Sequence, residues 1–287
     1  MIIAYLILHY MAGKDTIECV NSILKSTKES EHETTIVIVD NGSTNDSFDK
    51  ICVEFESNKR IKLIHSDLNL GFAKGNNLGF NYAKYELKAD FIVQLNNDTV
   101  LSQINFNEVI VNKYYEYKYA VLGPDIITAD GFHQNPGKNV NWTQKRIVRF
   151  RLKKWIQFVM AHFQCFDCFL KLNEGSYLPD CVNVDVCGTT LHGACLIFSK
   201  KFIDKFDGMC DKTFLYMEED ILKLQADHFG LLMMYSPDLK LYHKEDAATN
   251  MVATSSLTKK KRVYKNLLDS SKVYLQLMKE YSKEKEK

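Results

Sequence analysis

"FIVQLNNDTV", residues 91–100, starts as an apolar run and ends in three polar side chains, Asn96, Asn97 and Asp98. Phe91, Ile92, Val93 and Leu95 form the continuous apolar stretch of a strand covered on both faces, the kind that parallel sheets use. Because the strand is buried, its end projects Asn96, Asn97 and Asp98 into a crevice rather than onto a flat surface. One carboxylate among neutral amides suits Mg²⁺ or Mn²⁺, which takes one or two protein carboxylates and fills its shell with phosphates and water. An Asx-rich turn is the competing reading.

Upstream, "IIAYLIL", a helix from about Asp15 to Ser26, "TTIVIVD", a second helical stretch, "RIKLIH" and a helix from about Asn76 to Leu87 alternate in order. The first helix has a cap-like Asp15 with an acid three residues on, and Ile17, Val20 and Leu24 recur at helical spacing. This βαβ series predicts an α/β fold, a mostly parallel central sheet flanked by helices, with ligands outside the carboxyl ends of the strands. Asp40 and the Asn96 to Asp98 group fall at those ends.

Downstream the pattern is less regular. A basic, aromatic stretch precedes strand-like "VDVCGTTLHGACLIFS", a helix beginning at "MEED", and a helical tail from about Lys259 that carries Tyr264, Leu267, Leu268, Ser271, Tyr274 and Met278 on one face. With no repeat and no Gly/Pro/Ser-rich linker, the expected division is one unit over 1–255, with halves at 1–100 and 101–255, plus a tail at 256–287.

A chain of 287 residues that is 46% apolar can fill a sizeable core. Its 37 Lys and Arg against 36 Asp and Glu give a net charge of +1, so bulk electrostatics offers no case for nucleic acid. "MIIAYLIL" is too short to span a membrane and lacks a signal peptide's basic flank and cleavage site, so it reads as a first strand. Eight scattered cysteines favour free thiols in a reducing compartment, hence the cytoplasm. The pair Cys165 and Cys168 offers two ligands where structural zinc needs four, and no second CxxC follows; His162, His192 and Cys195 are the conceivable partners, and buried or surface thiols are the favoured reading.

Several clusters carry chemistry. Asp40, in "IVIVDNGSTND", is either a turn residue or a carboxylate that accepts hydrogens from a base such as uracil. Gly71, Gly75 and Gly79 in "NLGFAKGNNLGF" recur every four residues, which matches neither the dinucleotide nor the P-loop pattern. Lys74 there is available for a phosphate. Glu218, Glu219 and Asp220 open a helix, where acids favour the helix dipole and a paired Glu can act as a general base. His243, after "LKLY", is a candidate metal ligand.

In this order, "VDNGSTND", "NLGFAKGNNLGF", "LNNDT", "LHGACLIFSKKFIDKFDG", "FLYMEED" and "LYHKED" resemble the inverting family 2 glycosyltransferases, which have the A-type, Rossmann-like nucleotide-sugar-binding fold, a variable acceptor-side half and here a C-terminal helix. The subgroup most resembled is the rhamnosyl-type transferases of bacterial surface polysaccharides. The resemblance implies a nucleotide-diphosphate sugar as donor, a saccharide or lipid-linked saccharide as acceptor, and a divalent cation, Mn²⁺ or Mg²⁺, as cofactor. It makes Asp40 the base reader and assigns Asn41, Asn69, Gly71, Lys74, Asn76, Asn96 and Asn97 to the donor. It makes Asp98 and His243 the metal ligands, with Asn96 standing where an Asp is common. Glu219 matches the catalytic base, with Asp220 as base if the register slips by one. His192, Gly193 and Glu218 fall on the acceptor side. "HYMA" at His9 departs from the family's usual Asn-Tyr-Asn. A non-catalytic binding subunit of the same fold is the alternative, and the presence of both Glu219 and His243 argues against it.

Lys145, Arg146, Arg149, Arg151, Lys153 and Lys154 lie in a stretch with no acid, followed by Trp155, Val159, Phe163, Phe166 and Leu170 at near-helical spacing. Residues 145–170 therefore read either as a helix packed internally or against another subunit, or as a peripheral contact with the anionic inner face of the plasma membrane.

Overall fold

The computed structural model of the protein describes residues 1–161, 181–245 and 256–285. The readings of His162, Cys165 and Cys168, and of Phe163, Phe166 and Leu170, fall outside the described residues.

The N-terminal half alternates as the sequence predicts: β1 (Ile2–His9), α1 (Gly13–Ser26), β2 (Glu33–Asn41), α2 (Ser47–Phe55), β3 (Ile61–Ser66), α3 (Phe72–Tyr85) and β4 (Phe91–Asn96). β1 is the central strand and pairs in parallel with both β2 and β4, so His9 sits beside Asp40 and Leu8 beside Asn96. That register brings three strand ends to one edge. One face of the sheet packs Ile3, Tyr5 and Ile7 against Val20 and Ile23 of α1; the other packs Ala4 and Leu6 against Ala73 and Phe80 of α3.

Two helix starts differ from expectation. α1 begins at Gly13 with no side-chain cap, so Asp15 lies inside the first turn, where its charge favours the helix dipole. α3 begins at Phe72, about a turn before Asn76, because Gly71 takes φ 83° and a Cβ there would run into the Phe214 carbonyl. The four-residue glycine spacing then puts Gly75 and Gly79 on one helix face pressed against the sheet. A Cβ on Gly75 would lie 2.7 Å from Leu8 Cδ1, and one on Gly79 would lie 2.8 Å from Val39 Cγ2.

The second half supplies β5 (Thr99–Val100), α4 (Phe106–Tyr117), β6 (Val121–Thr128), α5 (Gln144–Met160), β7 (Val186–Cys187), β8 (Cys195–Ser199), α6 (Lys200–Ile203), α7 (Glu218–His228), β9 (Met233–His243) and α8 (Ser256–Lys285). The nine strands described form one sheet, ordered β3-β2-β1-β4-β8-β6-β9-β5, with β7 on β9. β8 is antiparallel to both β4 and β6, and β6 is parallel to β9, so the six long strands all share one direction. The strand-like run at 184–199 resolves into β7 and β8, separated by Gly188 at φ 73° and a turn that carries His192 and Gly193.

α8 lies along α5 and α7. Ile147, Met217, Ile221, Tyr274 and Leu277 bury together, and Arg151 Nη1 donates to Leu268 O at 2.7 Å and Ser271 Oγ at 3.0 Å. The tail's apolar face is thus docked. α5 has a second face: Val148 is 52% exposed, Leu152 57%, Trp155 54% and Ile156 44%, beside exposed Lys145, Arg149 and Lys153.

Candidate active site

At the carboxyl ends of β1, β2 and β4 lies a cavity of about 260 Å³. Leu8, Tyr10, Asn41, Asn69, Gly71, Asn96, Asn97 and Asp98 line it from the N-terminal half. Asn41 braces that wall: its Nδ2 donates to Asn69 Oδ1 and Gly71 O, both at 3.2 Å, and its Oδ1 accepts from the Leu70 N–H at 2.9 Å. Asn97 Nδ2 donates to Thr16 Oγ1 at 3.0 Å, tying the Asx turn to α1.

Asp98 is buried, and its Oδ1 lies 3.1 Å from His243 Nε2. The two residues are 145 positions apart and meet because β5, just after Asp98, pairs antiparallel with the end of β9, Thr99 opposite His243. One carboxylate oxygen and one imidazole nitrogen beside the amides of Asn96 and Asn97 make a donor set that fits Mn²⁺ or Mg²⁺, with phosphate oxygens left to complete the shell. Among the described residues a separate group, Asp125, His133 and Cys181, also brings three ligand atoms within 4.8 Å of one another. There His133 Nδ1 lies 2.7 Å from Asp125 Oδ1.

The three acids of α7 point to three different partners. Glu219 Oε1 accepts from the Gly193 N–H at 3.2 Å. Burial raises its pKa, and its own backbone N–H and that of Gly193 hold the rise in check. Gly193 follows His192, whose ring centroid is 5.9 Å from that of His243, so Glu219, His192, His243 and Asp98 form a continuous chain. Burial, then the neighbouring His243, lowers the His192 pKa to about 4, which keeps the ring neutral; its Nδ1 accepts from the Ala194 N–H. Glu218 is buried on Thr213 Oγ1 at 2.9 Å, and burial followed by the charge of Glu219 raises its pKa to about 7. Asp220 Oδ1 accepts from Trp142 Nε1 at 2.9 Å, and Trp142 packs edge-on to Phe150 of α5. Asp220 is thereby engaged in packing toward α5 and α8, because one residue along a helix turns a side chain by about 100°.

Glu218, Glu219, Asp220, His192, Gly193 and His243 lie outside the lining of the cavity, and further predicted residues stand apart from it as well. Asp40 is fully buried and accepts from the Ser43 N–H at 3.2 Å and meets His65 Nδ1 at 2.8 Å, which are the contacts of the turn reading. Since α3 starts at Phe72, Lys74 and Asn76 are helical rather than loop residues. Lys74 lines a neighbouring cavity with Asp207 and Asp211, and Asn76 is buried with its Nδ2 on Phe72 O. His9, the departure in the first strand, is buried between Thr16 Oγ1 and Ser47 Oγ, and burial lowers its pKa to about 4.

The sequence reading gave no site role to the rest of the cavity: Phe72, then Phe214, Leu215 and Tyr216, which open the quoted "FLYMEED", and Lys259, Arg262 and Val263 from the first turns of α8. Tyr216 and Met217 take φ 76° and 66°, a strained conformation for such residues that turns the chain into α7. Side-chain size and polarity carried no signal for it.

Residues 6–171 match the family described as Glycosyl transferase family 2, which is more than half of the chain. The chain belongs to glycosyl transferase family 2. A relative, the glycosyltransferase GlyG of Streptococcus pneumoniae serotype 4, is 34% identical over 116 residues, covering 38% of this chain and 37% of GlyG. Among solved structures, the S. aureus TarS fragment 1-349 in complex with UDP superposes with a TM-score of 0.53 at 13% identity, covering 85% of this chain and 60% of that one. The same TarS fragment in a second structure gives a TM-score of 0.53 at 12% identity over 93% of this chain and 71% of that one. This likeness shows a shared fold, a central sheet flanked by helices. The family 2 chain spans little more than a third of the curated relative it matches.

Proposed function

We propose that this chain transfers a sugar from a nucleoside-diphosphate sugar to an acceptor hydroxyl with inversion at the anomeric carbon, in the assembly of a bacterial surface polysaccharide. The observation that carries the reading is the chain of contacts from Glu219 through Gly193 and His192 to the Asp98–His243 pair, beside the Asn-lined cavity. UDP in the TarS complex makes uridine-diphosphate sugars the first donors to test.

Glu219 takes the acceptor's proton as the hydroxyl attacks. Burial makes its carboxylate a stronger base, while the Gly193 N–H and the start of α7 keep it ionised. His192 and Gly193, with Glu218 behind Glu219, form the acceptor side. Asn41, Asn69 and Gly71 hold the donor, and Asp40 reads the base in exchange for its contact with Ser43 or His65. Asp98 and His243 would hold Mn²⁺ or Mg²⁺, which would supply positive charge to offset that developing on the departing diphosphate.

The decisive experiment incubates the protein with Mn²⁺, a panel of UDP- and dTDP-sugars and saccharide or lipid-linked acceptors, and follows free nucleoside diphosphate and the glycoside. Transfer with inverted configuration is expected. Nucleotide binding without product in every combination would instead leave a binding subunit.

The lipid-linked form of the acceptor accords with the outer face of α5. Val148, Leu152, Trp155 and Ile156, flanked by Lys145, Arg149 and Lys153, suit the surface of an anionic cytoplasmic leaflet, each charge there contributing roughly 1 kcal/mol. No helix among the described residues is long and apolar enough to cross a membrane. In liposome sedimentation the protein should pellet with anionic vesicles at low salt and stay in the supernatant with neutral ones. Equal recovery in both supernatants would remove the membrane from this reading.

A further inference from the structure

The ring of His243 is held from behind by a side chain that none of the sequence motifs contains. Gln134 lies in the loop after β6. Its Nε2 donates to Glu245 Oε1, a carboxylate that only accepts, so the amide oxygen faces the other way, 2.8 Å from His243 Nδ1. An amide oxygen also only accepts. The hydrogen of the neutral ring therefore sits on Nδ1, and the lone pair is left on Nε2, the atom 3.1 Å from Asp98 Oδ1. A carboxylate oxygen and an imidazole lone pair that face each other at that distance suit a shared cation, a proton or a metal ion.

The rest of the loop is equally committed. His133 Nδ1 meets Asp125 Oδ1 at 2.7 Å. Asn135 Nδ2 donates to Pro124 O at 2.8 Å, its Oδ1 accepts from the His192 N–H at 2.8 Å, and the Gly137 N–H donates to Thr190 O at 2.9 Å. The loop is thus pinned to β6 on one side and to the His192 turn on the other. A side chain on so fixed a base can hold an imidazole to one orientation.

We propose that Gln134, oriented by Glu245, is a positioning residue that keeps His243 in the tautomer whose Nε2 is open to a divalent cation shared with Asp98. The proposal rests on the reading of Asp98 and His243 as cation ligands, and it adds two residues and a direction of control. Outer partners of ligating histidines raise metal affinity by fixing the ring, typically by about 10- to 100-fold.

Three proteins test it: wild type, Gln134→Leu, and the exchange Gln134→Glu with Glu245→Gln, which restores an acceptor facing Nδ1 and a donor–acceptor contact behind it. Mn²⁺ affinity is measured by calorimetry without donor, and the His243 tautomer by ¹⁵N chemical shifts in metal-free protein. The Leu variant should bind Mn²⁺ at least about tenfold more weakly and lose the Nδ1–H tautomer, and the exchange should recover both to within about threefold. Unchanged thermal unfolding of the Leu variant would separate this effect from general loosening. A Leu variant that matches wild type in Mn²⁺ affinity and tautomer overturns the positioning role. A wild type with no affinity for Mn²⁺ overturns instead the reading of Asp98 and His243 as cation ligands, and the proposal with it.

Discussion

Two walls of the cavity are made by different means. Asn96, Asn97 and Asp98 end a parallel ladder in which Leu8 pairs with Asn96 and His9 with Asp40, so backbone hydrogen bonds on both sides of β1 fix where they stand. Phe214, Leu215 and Tyr216 and the α8 residues Lys259, Arg262 and Val263 belong to segments set by side-chain packing, by a backbone hydrogen bond from the Phe72 N–H to Phe214 O and by left-handed backbone at Tyr216 and Met217. Glu218 follows at once on that strained turn, and Glu219 comes next. The difference predicts that the ladder wall tolerates loss of a side chain as a local event, while changes around α7 alter chemistry and stability together.

The largest effect should come from Glu219→Gln, which keeps shape and cannot accept a proton. Turnover should fall by about two to four orders of magnitude with donor affinity near wild type. Because burial raises the Glu219 pKa, wild-type activity should be lost as pH falls through a value above the ordinary carboxylate range. Steady-state kinetics of Asp220→Asn is the control: a dead Asp220→Asn beside an active Glu219→Gln would reverse the roles given to α7.

Glu218→Gln tests stability at the start of α7. Its folded pKa of about 7 lies above its ordinary 4.5, so the folded state binds the proton more tightly. The stability this gives is fully present below about pH 4.5 and is lost as pH rises through about 7, on the order of 3 kcal/mol. Denaturant melts at pH 4.5 and 7.5 should show a smaller pH-dependent drop in the Gln variant, and equal drops would refute the burial argument.

On the ladder wall, Asp98→Ala should weaken metal-dependent nucleotide-sugar binding at least tenfold, about 1.4 kcal/mol, with the fold intact by circular dichroism. Wild-type affinity with a wild-type metal response would mean that Asp98 is no cation ligand.

The ladder was legible in the sequence because its information is local. Apolar runs ending in Asp40 and in Asn96 to Asp98 announce both the strands and the polar edge they share. Pairings across long stretches were legible only where a motif marked both ends, as with Asp98 and His243. Arg262 carried no such mark, and Tyr216, though inside "FLYMEED", drew no role, since their places depend on how α8 docks and on a backbone conformation that side-chain chemistry does not announce. The four-residue glycine spacing was visible, but its meaning was not. It serves helix-to-sheet packing at Gly75 and Gly79, and only Gly71 reaches the cavity.

That packing gives the cavity an adjustable floor. A methyl group at position 75 would press on Leu8 Cδ1 from 2.7 Å and on Asn41 Cγ from 3.1 Å, and Leu8 and Asn41 both form cavity lining. Position 75 is therefore a steric dial on the α3 face of the sheet, through which the shape of the cavity can be altered without replacing any side chain that lines it.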